Sequence, residues 1–381
     1  MALVIWEIHM CKRITLAITL VLLAAAAPAA QQGPKHPRFK TGEIVCKLIA
    51  ECTIEQVNAT YGTSTRGQQP ATGCYLLLAA PGVDAESLAV VMSGDPCVVY
   101  CKANYFLSAP EGLQRSSPFT DQQMTIDIDS QIAVRRLSLG AAQAITSGTG
   151  VRIAVIDGGV NLTHPFFAAQ PGALISRYDY IDGDSVTAEE IVGSCSGHGT
   201  FVAGISRLTA PDAELFIYRV LDTMGQGDGY TIAEAILQAI SDSCDIINLS
   251  LGMVGIHDAM DDALKLAHQQ NILIIAAAGN DSTDLASVFP FPASRDYSMA
   301  VAALDSADHK ATFSNYGPRI AVAAPGTWIY APYLDTIYAW WDGTSFAAPF
   351  VSGLAALVWA VHPDWTTDQV DSAIRASAQS V

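Results

Sequence analysis

The chain has 381 residues, half of them apolar and only 15% charged, with a formal net charge of −17. That balance specifies a compact globular body rather than a disordered chain. It also excludes a reader of phosphate backbones, which needs a basic face, so nucleic acid is not a partner. Lys12 and Arg13 stand directly before an apolar run, ITLAITLVLLAAAA, and PAAQQG follows it. A charged opening, a short apolar centre and small exit residues predict a cleaved secretory signal over residues 1–30. Met10 opens a better signal than Met1, because MALVIWEIH is apolar and contains Glu7. The run falls short of the ~20 apolar residues that span a bilayer, so no stable membrane anchor is expected and the protein is secreted or periplasmic.

Residues 31–107 read as a small α+β domain. TGEIVCKLIA, GCYLLLAA and CVVYCKANYFL are strand-like, and TIEQVNATYG and DAESLAVVMSG are helix-like. Residues 108–130 are polar without a strong period and read as a linker. Residues 131–381 alternate as a parallel α/β domain does. VRIAVID, ELFIYRVL, DIINLSLG, ILIIAAAGN, YSMAVAAL and IAVAAPG are its strands, and YTIAEAILQAISDS and MDDALKLAHQQ are helices between them. A further helix begins near Ser345 and carries Pro349 in its early turns. The last, TTDQVDSAIRASA, is capped by Thr366 or Thr367 with acids in its first turn. The two regions differ in charge: 31–107 holds 6 basic and 6 acidic residues, whereas 108–381 holds 12 and 30, which separates two modules with different jobs.

Three polar residues stand at junctions of the larger region. Asp157 ends VRIAVID, His198 lies in SGHGTFVAG, and Ser345 lies in DGTSFAAP. Strand C-termini and helix N-termini on one sheet edge are where an open α/β sheet places its site, so three distant residues can converge there. A serine hydroxyl is a poor nucleophile until a histidine takes its proton, and that histidine needs a carboxylate to fix its tautomer. The order Asp, His, Ser and the absence of G-x-S-x-G around Ser345 argue against an α/β-hydrolase.

DGGV, GHGTFVAG, AAAGN and GTSFAAPF, in this order, resemble the subtilisin-like serine peptidases over about residues 147–378. The resemblance implies a three-layer α/β/α fold with a mostly parallel central sheet. It implies that Asp157 orients His198, that His198 acts as base then acid, and that Ser345 attacks the peptide carbonyl. Asn280 would give its amide N–H to the developing oxyanion. Segments matching Ser250, Leu251 and Gly252, and Gly225 and Gly227, would flank an extended peptide. Ala277, Ala278 and Gly279 would wall a side-chain pocket open enough for an apolar or aromatic residue, with broad specificity as the default. The small domain resembles the propeptide of these enzymes, which assists folding and blocks the cleft. Self-cleavage is therefore expected between Tyr105 and Ser130, near Tyr105, Phe106 and Leu107. Protein or peptide substrates and the chain's own propeptide are the implied partners of a monomer.

No cofactor is needed for such chemistry. Many family members bind calcium, and Asp179, Asp182 and Asp184 in YDYIDGD offer closely spaced oxygen ligands of the kind Ca²⁺ takes. The same loop reads equally as a solvated acidic turn. Phe346 replaces the usual methionine after the nucleophile, Phe201 the second histidine of GHGTHVAG, and Gly158 the usual Thr or Ser. An inactive relative used as a binding module is the main alternative. A serine–carboxyl peptidase is the other, and the GHGT segment opposes it. Of the eight cysteines, Cys195 and Cys244 lie in the larger region, and spacing assigns no pairing.

Overall fold

The computed structural model describes residues 38–114, 117–120, 127–170, 172–288 and 290–380. The signal expected over 1–30 lies outside the described residues.

Alternation in EIVCK sends Ile44 and Cys46 to one side of a strand and Val45 to the other, and all three are buried. This is β1 (Phe39–Leu48), in an antiparallel sheet with β2 (Ser64–Gln69), β3 (Cys74–Leu78) and β4 (Val98–Ser108), ordered β2-β3-β1-β4. Helices Ile54–Tyr61 and Ala85–Met92 cover one face, where Ile44, Cys46, Val57, Leu77, Ala89 and Met92 make a core of their own. Thr53 and Gln56 form a capping box at the first helix, and the Asp84 side chain caps the second. A disulfide joins Cys52 to Cys97, while Cys46, Cys74, Cys101, Cys195 and Cys244 are buried thiols.

The larger sheet contains β5 (Arg152–Asp157), β6 (Leu174–Asp179), β7 (Glu214–Arg219), β9 (Ile246–Leu249), β10 (Leu273–Ala277), β11 (Ser298–Leu304) and β12 (Val322–Pro325), with a short strand β8 (Gln226–Asp228) outside it. Its order is β12-β11-β10-β9-β5-β7-β6, and every neighbouring pair is parallel. Continuous apolar runs fit strands covered on both faces. In β5, Ile153 and Val155 join the core under helices His198–Thr209 and Thr344–Val361, and Ala154 and Ile156 join the core under Gly229–Ser241 and Asp258–Gln269. Chain order reverses around β5, so the C-terminal ends of β5, β9 and β10 open on one crevice. The hairpin β13 (Ile329–Pro332) and β14 (Tyr338–Trp341) lies next in the chain, and Phe119 of the expected linker bridges to Trp340.

The small sheet's other face is not left to solvent. Val45, Cys74 and Leu76 pack with Tyr230, Ile232 and Ala263 of the larger body's helices. Around this apolar contact Lys47 meets Asp262 and Lys102 meets Asp258, each at 2.7 Å. Exposed pairs of this kind contribute at most about 1 kcal/mol each, so they set register while apolar burial supplies the affinity. Buried Asn104 donates to Glu43 Oε2 and Asp228 Oδ1, both at 2.8 Å, and accepts from the Tyr230 amide. Asp228 also caps the helix Gly229–Ser241. From there β4 runs on antiparallel to β8, with Phe106 opposite Asp228 and Ser108 opposite Gln226.

Candidate active site

Pro349 sits in the second turn of the helix Thr344–Val361 and has no N–H for the Ser345 carbonyl. That carbonyl accepts instead from Ser250 Oγ at 2.8 Å. Ser250 Oγ accepts from Asn248 Nδ2, and Asn248 Oδ1 from Ser352 Oγ. A buried chain of hydrogen bonds thus fastens the Ser345 turn to the end of β9, with each polar group satisfied. The proline in GTSFAAPF is what frees the carbonyl to take part.

His198 begins its helix behind Gly197. The carboxylate of Glu189, a half-buried residue at the N-terminus of that helix, accepts from the Gly199 and Thr200 amides at 3.1 and 2.9 Å and from the Thr200 hydroxyl. Burial lifts the Glu189 carboxyl to about 7, with the Thr200 hydrogen bonds opposing it. Gly199 is required by close approach, since a Cβ there would strike the Gly159 carbonyl oxygen. The imidazole is flanked by Trp341, 5.8 Å away edge-on, and Phe346 at 5.5 Å. Phe201 packs on both Phe346 (4.6 Å) and Trp341 (5.8 Å). The two departures at 201 and 346 therefore belong to one aromatic cluster that walls the histidine.

Asp157 Oδ1 lies 2.8 Å from His198 Nδ1 and accepts from the Gly158 amide at 2.7 Å. Burial alone would push the His198 imidazole down, but the Asp157 carboxylate, aided by Glu111, holds it well above the ordinary histidine value. Asn280 Oδ1 accepts from the Thr344 amide and hydroxyl, at 3.0 and 2.8 Å, which aims Nδ2 into the cleft. Removing one aimed donor of this kind costs about 10²–10³ in kcat, a size set by a related subtilisin. Asn280→Ala is accordingly expected to lower kcat by that factor with KM little changed, as steady-state kinetics on a peptide would report.

One residue here had no signal in the sequence. Glu111, 1% exposed, reaches in from the expected linker. Its Oε2 lies 2.6 Å from Ser345 Oγ and 3.1 Å from His198 Nε2, and its Oε1 accepts from Asn280 Nδ2 at 2.8 Å. Asp157, His198, Ser345 and Asn280 are thus brought together, with a carboxylate oxygen between the histidine and the serine. The expected flanking segments surround the same chain. Ser108 exchanges both backbone hydrogen bonds with Gly252, Leu107 lies opposite Gly227, and the Gly225 carbonyl accepts from the Ala109 amide at 2.9 Å. Leu251, Ala277 and Ala278 are buried beside this cleft. Asn315 Nδ2 holds the Ala278 carbonyl, and Thr344 Oγ1 the Gly279 amide.

The acidic trio lies elsewhere and does not fit a cation. Asp179 Oδ2 and Asp182 Oδ2 each sit 2.7 Å from Arg219 Nη1, and Glu190 pairs with the same guanidinium. Asp184 accepts from the Val186 amide. Arg219 already neutralises Asp179 and Asp182, and among the described residues no group of three His, Cys, Asp or Glu side chains is arranged to hold a metal. Cys195 and Cys244 do not pair with each other. Burial pushes the Cys195 thiol up to about 12, which leaves it protonated and no rival to Ser345.

The subtilase family profile matches residues 148–381, more than half of the chain. Thermitase of Thermoactinomyces vulgaris is 34% identical over 238 residues, an alignment covering 60% of this chain and 81% of thermitase. A crystal structure of a cold adapted subtilisin-like serine proteinase superposes with a TM-score of 0.55 and 30% identity over 60% of this chain and 82% of that one. Fervidolysin from Fervidobacterium pennivorans, described as a keratinolytic enzyme related to subtilisin, shares the fold at TM-score 0.70 and 20% identity. That likeness covers 88% of this chain and 57% of fervidolysin. The chain belongs to the subtilase family and is a serine endopeptidase.

Proposed function

We propose that the protein is a secreted endopeptidase made as a latent precursor, in which residues 31–107 act as an inhibitory propeptide. Ser345 attacks the peptide carbonyl, His198 takes its proton and passes it to the leaving amine, and Asp157 holds the imidazole in the required tautomer. Asn280 Nδ2 stabilises the oxyanion. The observation that carries this reading is the 2.8 Å Asp157–His198 contact with His198 and Ser345 joined through one Glu111 oxygen. Substrate would lie where 106–109 lies now, held through its backbone between Gly225–Gly227 and Ser250–Gly252, which favours broad specificity. The small walls Ala277, Ala278 and Gly279 favour an apolar or aromatic residue at the cut. Activation is a self-cleavage between Tyr105 and Ser130. Tyr105, Phe106 and Leu107 themselves lie within β4, short of Ser345, so the cut falls on their C-terminal side.

Protons regulate both states. In the cleaved enzyme His198 must be neutral to act, so kcat/KM on an apolar fluorogenic peptide should fall as pH drops through the histidine range, about 6.5. A flat profile down to pH 4 would favour a serine–carboxyl mechanism instead. In the precursor the imidazole faces Asp157, Glu111, Cys195 and Glu189, and the Asp157 and Glu111 carboxylates raise its pKa above the ordinary histidine value against the opposing effect of burial. A pKa raised in the closed state stabilises closure below the open-state value, and that stabilisation is lost as pH rises through the closed-state value. Precursor latency, followed by the rate of Ser345 labelling with a fluorophosphonate, should therefore weaken with rising pH.

A further inference from the structure

We infer that the catalytic centre of this chain contains a carboxylate-binding site and that Glu111 is its built-in ligand, holding an inhibitor segment that cannot be cut where it lies. The inference rests on the latent-peptidase reading above and adds the residue and chemistry that enforce latency.

Register identifies the segment. Ser108 lies opposite Gly252 in an antiparallel bridge, so two residues further on Pro110 comes abreast of Ser250. The Ser250 carbonyl is 3.3 Å from Ser345 Oγ, which makes Pro110–Glu111 the bond an extended chain would present to the nucleophile. The chain does not stay extended. Pro110 has no N–H to give the Ser250 carbonyl, and it starts the short helix Pro110–Gln114, with the Gly112 amide bonded to the Ala109 carbonyl. That turn lets the Glu111 side chain, rather than a backbone carbonyl, reach the catalytic groups.

The site is built for an anion. Ser345 Oγ, Asn280 Nδ2 and the His198 imidazole converge on the two carboxylate oxygens from different sides. Gly343 leaves the space, because a Cβ there would collide with Glu111 Oε1. A carboxylate buried this far must be compensated by charged or hydrogen-bonding partners, and here both oxygens are. The groups that stabilise charge developing during acyl transfer are thus occupied by charge already formed, supplied by the chain itself. An amide at 111 keeps the size but loses the charge that attracts an imidazolium.

The full-length chain carrying Glu111→Ala or Glu111→Gln tests this beside the unaltered chain. Each is pulsed with a fluorescent fluorophosphonate immediately after isolation, and labelling is read on the uncut band. The expected result is that the uncut Glu111→Ala band labels at least tenfold faster than the unaltered one, with Glu111→Gln faster as well and Glu111→Asp closest to the original. Complete conversion of Glu111→Ala before the pulse, while the unaltered chain remains uncut, supports the inference equally. Equal slow labelling of all uncut bands overturns it, because strand 106–109 would then suffice to block the site. Absence of labelling on the cleaved form of the unaltered chain would instead count against the peptidase reading. Matching thermal unfolding of the variants excludes misfolding as the source of faster labelling.

Discussion

Ser345→Ala is expected to lower kcat on a peptide substrate by about a million-fold, the size that loss of this hydroxyl has within the family. No other described side chain can take its place. Cys195 is a protonated thiol, and the Ser250 hydroxyl is committed to the Ser345 carbonyl. The residual rate should come from binding and from donors such as Asn280, which do not need the nucleophile. The same variant should persist as an uncut precursor when produced without other proteases, and intact-mass analysis reads this directly. Normal maturation of Ser345→Ala in such a host would rule out self-processing.

Asp157→Asn is expected to cost about 10⁴ in kcat while leaving the fold intact. Asp157 Oδ1 accepts from both the Gly158 amide and His198 Nδ1, and Oδ2 is buried without a hydrogen-bond partner. An asparagine matches the aspartate in shape, but Oδ1 serves both contacts, so its amide nitrogen faces Nδ1 only by giving up the Gly158 hydrogen bond. Its amide N–H turned toward Nδ1 would require that nitrogen to accept, which moves the proton to Nε2. A protonated Nε2 faces Ser345 as a donor and cannot remove the hydroxyl proton. The defect therefore belongs to kcat, with an unfolding midpoint close to that of the unaltered chain. A variant with kcat within tenfold of the original would show that the carboxylate does not set the tautomer.

What could be read before folding was local. VRIAVID, ELFIYRVL and YSMAVAAL announce strands because all but one end position of each strand is buried, and they appear as Arg152–Asp157, Glu214–Arg219 and Ser298–Leu304. The residues proposed as catalytic were legible because each sits beside glycines or a proline that the local geometry requires. Edge elements were not. Ser64–Gln69 is polar and largely exposed, and Leu174–Asp179 is mostly half-buried, so neither carries a periodic apolar signal. Glu111 was invisible for a different reason. An acid after a proline in a polar stretch is ordinary, and its role appears only when β4 pairs with β8 and carries it to Ser345. Arg219 was missed likewise: its charge meets Asp179, Asp182 and Glu190 only because β6 and β7 are neighbours and the loop carrying Glu190 folds over them. An acidic loop that suggested calcium has its cation supplied by the adjacent strand.

The aromatic wall around His198 joins two departures from the family's pattern in one packed cluster. Phe201 and Phe346 are both fully buried and touch each other as well as Trp341. Restoring the family's histidine or methionine at one position alone would leave an unpaired polar ring or a gap, so the two sites are expected to couple.

The most direct measurement is the location and histidine dependence of a serine-directed label on the processed protein. Peptide mapping after reaction with a fluorophosphonate should find a single adduct, on Ser345, and His198→Ala should abolish it. An adduct on a different serine, or equal labelling of Ser345 without His198, would contradict the convergence of these residues into one working centre.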